Sequence, residues 1–210
     1  MSEGFIISAM SLDCGKDNML PEAYLKDTLH HFRSLKWLAE AAVAKVSGDD
    51  LFVALDSESN SIAHIMKHLA GNMRSRWTDF LTTDGEKPDR NRDSEFLLEQ
   101  ADTKERLFAF WESGWQCLLG AIEPLEASDL GKTIFIRGEP HMVLEAINRQ
   151  LSHYSYHVGQ IVFLAKHFAS EKWESLSVPR GKSQEINASD KKNKRGKAWE
   201  SVEPEEDDRQ

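Results

Sequence analysis

Apolar residues recur at steps of three and four through four long stretches of the chain, with polar residues filling the positions between them. That period lays one apolar stripe along a helix. The first stretch begins near Pro21, a residue suited to a first helical turn, and runs through Leu25, Leu29, Phe32, Leu35, Ala39, Ala42 and Val46 to a stop at Ser47, Gly48 and Asp49. The second starts among the capping residues between Ser57 and Ser61. Its stripe is Ile62, Ile65, Met66, Leu69, Met73, Trp77 and Phe80, and Gly85 and Pro88 follow it. The third starts near Asp102, with Glu105 in a capping-box-like position, and carries Leu107, Phe108, Trp111, Trp115, Leu118, Leu119 and Ile122 up to Pro124. The fourth runs from about His141 to Ala169 on Val143, Ile147, Gln150, Tyr154, His157, Ile161, Leu164 and Phe168, the seam of a helix in a bundle.

Between these stretches the pattern is weaker. Residues 51–55 are a short apolar connector, and residues 133–136 (TIFI) are β-prone, an extended strap or half of a hairpin turning at residues 137–140. Trp173, Leu176, Val178 and Pro179 read as a strap onto the body. From about Ala188 the chain is first basic and then acidic, with too little apolar surface to fold alone. The expected fold is therefore all-α: a four-helix bundle with short irregular connectors over residues 20–187, between an N-terminal extension (1–19) and a disordered charged tail (188–210).

Charge and cysteine usage narrow the function classes. The formal net charge is −9 and the body shows no basic stripe, which argues against nucleic acid as a partner. The N-terminus lacks the basic segment of a signal peptide, and no apolar run reaches the length of a membrane span. Cys14 and Cys117 form no CxxC pair and read as free thiols in a reducing compartment, with Cys117 buried. The expectation is a cytoplasmic protein with no membrane partner.

The chemistry gathers at the histidines. His153 and His157 stand four residues apart in the fourth helix, one above the other on the same face, so they can share one divalent ion. The alternative is a pair of imidazoles bonded to neighbouring groups. The second helix offers His64 and His68. At roughly 100° per residue, His68 lies about 120° and His64 about 160° from Ile62 on the apolar face. His68 is thus nearer the core boundary and the better third ligand, and His64 is read as a surface residue. Three neutral imidazoles leave a coordination position open, as in a reactive rather than a structural site. An ion there would acidify a bound water or bind a thiol as thiolate. Zinc, nickel, manganese and iron all accept such ligands. Asn72 and Gln160, each about one turn from a candidate ligand, are weighed as supporting partners against ordinary polar roles on a helix face.

Two segments, residues 61–77 (SIAHIMKHLAGNMRSRW) and 153–160 (HYSYHVGQ), resemble the metal-binding helices of the DinB/YfiT-like metalloenzyme superfamily. Residues 80–88 (FLTTDGEKP), 90–96 (RNRDSEF) and 176–184 (LSVPRGKSQ) narrow the resemblance to a bacterial branch of unknown function. It covers roughly residues 20–187. It implies a four-helix bundle, commonly dimeric, whose metal ligands fall by position on His68, His153 and His157. The superfamily includes thiol-dependent transferases and an isomerase that use low-molecular-weight thiol cofactors, and members assigned as metal-dependent hydrolases. The expected function is that of a metal-dependent enzyme, a hydrolase or thiol S-transferase acting on a small molecule, as a homodimer. The alternative is a non-enzymatic metal-binding or sensory dimer. No general base is identified; Glu145 lies two turns before His153 without a defined direction. The loop of Arg90, Arg92 and Asp93 either recognises an anionic substrate or braces the fold by ion pairs, and the brace is favoured.

Overall fold

A computed structural model of the protein describes residues 19–193. Among these residues there are five α-helices and one two-stranded antiparallel sheet: α1 (Met19–Val43), α2 (Ile62–Trp77), α3 (Lys104–Ile122), β1 (Thr133–Ile136), β2 (Glu139–Met142), α4 (Val143–Ala169) and α5 (Ser183–Asn193). The four long helices are those predicted from the apolar stripes. None of the described helices is long and apolar enough to cross a membrane. Residues 1–18 and 194–210, including Cys14 and most of the charged tail, lie outside the described residues.

Helix α2 packs on α3 and α4, and α1 packs on α4 and α3. The shared core is aromatic. Phe32, Trp111, Trp115 and Tyr154 are essentially fully buried, and the rings of Trp111 and Trp115 meet edge to face at 5.5 Å. Tyr154 of α4 lies at the junction: Phe32 packs against it at 5.9 Å and Trp115 at 6.2 Å. Its hydroxyl accepts from Trp77 Nε1 at 3.1 Å and donates to Asn72 Oδ1 at 3.1 Å. A buried phenol needs such partners. These bonds give Asn72 its role: of the two roles weighed for it, it takes a polar one in the core and not one beside the histidines.

Helices α2 and α3 approach closely at Gly114 of α3. A Cβ there would stand 2.8 Å from Ala70 Cα, so glycine is what allows α3 to lie against α2. The α2 N-terminus is closed by a reciprocal capping box: His64 N donates to Ser61 Oγ at 3.3 Å, and Ser61 N donates to His64 Nδ1 at 3.1 Å.

Several boundaries differ from expectation. Helix α1 ends at Val43, and the connector forms a 3-10 turn (Asp50–Phe52) that buries Leu51. Thr103 rather than Asp102 caps α3, because the Asp102 carboxylate accepts from Glu99 N and from Lys67 Nζ. Helix α4 starts two residues later than predicted, because His141 and Met142 pair with Ile134 and Thr133 in a hairpin. Its two-residue turn, Arg137 (φ 57°) and Gly138 (φ 76°), is left-handed throughout, as suits the twist of paired strands. The Asp84 carboxylate accepts from both turn amides, at 2.9 and 2.7 Å, and pins the hairpin to the segment after α2. Cys117 is half-buried rather than buried. Of the strap, Trp173 and Leu176 pack on the core, whereas Val178 is exposed. Helix α5 then carries regular structure from 183 to 193, into the segment expected to be unfolded from 188.

Gly114→Val should force α3 away from α2 and cost about 2–3 kcal/mol, within the usual range for overpacking. Urea denaturation measures it. Unchanged stability would show that the two backbones are not in contact at this position.

Candidate metal centre

The second helix delivers His68 and the fourth delivers His153 and His157. One ring nitrogen from each lies within 4.8 Å of the others. The two Nε2 atoms of His68 and His153 are 3.2 Å apart. Metal–nitrogen bonds of about 2.0–2.1 Å put two ligands on one ion roughly 3.0–3.4 Å from each other, so this spacing fits a shared ion. The rings face one another edge-on, His68 with His153 at 5.2 Å and His68 with His157 at 5.0 Å between centroids.

The hydrogen bonds on the far sides of the rings set which nitrogen carries the proton. His68 Nδ1 lies 2.9 Å from Glu95 Oε2, and a carboxylate only accepts, so Nδ1 carries the hydrogen and Nε2 keeps its lone pair. His157 Nδ1 lies 2.8 Å from Gln160 Oε1, also an acceptor, which leaves His157 Nε2 with its lone pair. His68 therefore turns an unprotonated nitrogen toward His153, and His157 keeps one unprotonated nitrogen as well. This arrangement, a ligating imidazole oriented by a carboxylate or amide behind it, is common at metal sites. Burial pushes His153 down to about 3, helped by the nearby His157 and His68 and by Arg76 and Arg90. His157 is also pushed down, first by burial, against the raising effect of its Gln160 bond. Neutral imidazoles are the form that binds metal. The donor set therefore fits a divalent ion.

Glu95 is the residue that sequence reasoning missed. It sits on a 3-10 turn (Asp93–Phe96) between α2 and α3 and is 6% exposed. Burial pushes its carboxyl up, but hydrogen bonds from His68 and Arg90 outweigh this and hold it below the usual carboxylate range. Arg90 grips it with two donors, Nε at 2.8 Å to Oε1 and Nη2 at 3.0 Å to Oε2. The carboxylate crosses α2 at Gly71, where any Cβ would overlap it. The signal was present as a glycine one turn from His68 and a carboxylate in a charged loop, but nothing in their spacing links them.

The other sequence candidates fall as follows. His68 is buried, deeper than the core boundary expected for it. His64 is half-buried and occupied by the cap of α2, outside the cluster. Gln160 is a supporting partner. The Glu145 carboxylate accepts from Met142 N at 2.8 Å and caps α4, so it is committed to the helix end. A cavity of about 760 Å³ lies between α2, α3 and the 87–102 segment, with Arg90 and Glu95 in its wall, but the three histidines do not line it.

This is thus a mainly helical protein with a three-histidine group able to hold a metal ion. Its sequence matches the family described as "Protein of unknown function (DUF1572)" over residues 20–182, and the chain belongs to that family. No curated protein matches the chain.

Glu95→Gln should keep an acceptor for His68 but remove the charge behind it, and Gly71→Ala should displace the carboxylate. Each should weaken zinc binding by about 10- to 100-fold in competition with a chromophoric chelator, the usual effect of losing such a support. Wild-type affinity in both would show that the bond to His68 does not support ligation.

Proposed function

We propose that His68, His153 and His157 hold a divalent metal ion with an open coordination position, and that the protein is a metal-dependent enzyme, a hydrolase or thiol-dependent transferase, acting on a small molecule. The observation that carries this reading is the convergence of the three imidazoles, two of them with one ring nitrogen left unprotonated by the hydrogen bond on the other. A bound ion would supply Lewis acidity at its open position. The chain's own residues do the rest: Glu95 and Gln160 orient two of the ligands, and Arg90 keeps the Glu95 carboxylate charged. We read the four long helices as the bundle of the DinB/YfiT-like superfamily, from the order of the two histidine-bearing helices and the sequence resemblance. We also read the protein as a homodimer. Tyr156 and Phe163 are exposed on α4 and supply apolar surface for such a contact.

Elemental analysis of the protein purified from its native host tests the reading. Wild type and His64→Ala should carry a stoichiometric divalent metal, and His68→Ala, His153→Ala and His157→Ala should each lose it. Full occupancy in the last three would remove the assignment. Addition of a small thiol to the loaded protein separates the two reaction classes, since only a transferase requires one.

A further inference from the structure

The loop between α2 and α3 carries Arg90 and Arg92, and the fold uses them differently. Arg90 has a side chain 5% exposed; it donates twice to the Glu95 carboxylate and pairs with Glu86. It braces the loop, as expected from sequence. Arg92 is exposed. Among the described residues no hydrogen bond or carboxylate engages its side chain; its contact is with the Phe96 ring, whose centroid lies 5.0 Å from the guanidinium carbon. Phe96 in turn stacks on His68, with ring centroids 4.9 Å apart and planes tilted by 31°. The order is imidazole, phenyl, guanidinium. It holds Arg92 no more than about 10 Å from the His68 ring.

Stacking on an aromatic face restrains a guanidinium without occupying its N–H groups. Among the described residues all five donors of Arg92 remain available, in a planar fork that matches a carboxylate or phosphate. A cation restrained on an aromatic ring within about 10 Å of the His68 ring, and engaged by no hydrogen bond among the described residues, has the makings of a recognition group.

We propose that Arg92 anchors the substrate of this site, binding the carboxylate or phosphate of a small anionic molecule whose other end reaches the ion held by His68, His153 and His157. The proposal rests on the metal reading above and adds the substrate class. It divides the loop's two candidate roles between two residues: Arg90 supports the ligand, and Arg92 selects what enters.

The test uses the full-length protein loaded with cobalt(II), whose visible absorption reports on ligands entering the coordination sphere. It is titrated with acetohydroxamate and with hydroxamates bearing a terminal carboxylate or phosphonate on spacers of graded length. In wild type at least one anionic probe should bind about tenfold more tightly than acetohydroxamate, the scale of one charge-assisted bidentate contact. The better head group distinguishes a carboxylate substrate from a phosphate one. Arg92→Gln should abolish the advantage while leaving cobalt content and acetohydroxamate affinity unchanged, and Arg92→Lys should keep part of it. A loaded protein that prefers no anionic probe, or a preference that survives Arg92→Gln, overturns the role of Arg92 alone. A protein that takes up no cobalt overturns the metal reading and the anchor together.

Discussion

A carboxylate buried at Glu95 has to be neutralised where it lies. Removing it from water costs several kcal/mol unless donors surround it, and a buried charge left without its partner is strongly destabilising. Arg90 supplies two of those donors and His68 the third. Much of the site follows from this constraint. The loop must fold back over α2 to bring Arg90 and Glu95 onto His68. Helix α2 must be bare at Gly71 for the carboxylate to cross. His68 must carry its proton on Nδ1, which leaves Nε2 unprotonated toward the cluster. A loop that looks like a surface brace in sequence is the support of a candidate metal ligand.

The second constraint is the rotation of α4 about its own axis. Tyr154 is fully buried against Phe32, Trp115 and Trp77, and its hydroxyl is committed on both sides. A large aromatic locked in this way fixes the face that the helix presents. His153 is its immediate neighbour and His157 lies one turn further on, so both flank the core on the side of α2 and meet His68 there. The aromatic core and the histidine cluster are thus parts of one packing solution. Gly114, which lets α3 close against α2 behind this junction, belongs to it as well.

The helices were legible in the sequence because the physics behind them is local. Each long helix has an apolar stripe of period near 3.6 and polar or glycine-rich breaks at its ends. The pairing of His153 with His157 follows from the rise of one helix, and the choice of His68 over His64 follows from the angle each makes with the apolar face. Ser61 lies within the capping stretch read from sequence. Helix ends were less secure, since tertiary partners decide them: Asp102 serves Lys67 instead of capping α3, and strand pairing takes His141 and Met142 from the start of α4.

What only the tertiary structure decided is everything that depends on groups distant along the chain meeting in space. Glu95 stands 27 residues from His68, and no periodicity spans a loop of that length. The Asp84 carboxylate under the hairpin turn, more than fifty residues away, is another such case. So is Asn72, whose spacing from His68 suited a role beside the metal but whose amide meets the Tyr154 hydroxyl instead. The sequence by itself determined which residues lie on which helical face, and with that the three candidate ligands. It did not determine what stands behind each ligand or beside it, because a buried charge or phenol finds its partner only once the helices have packed.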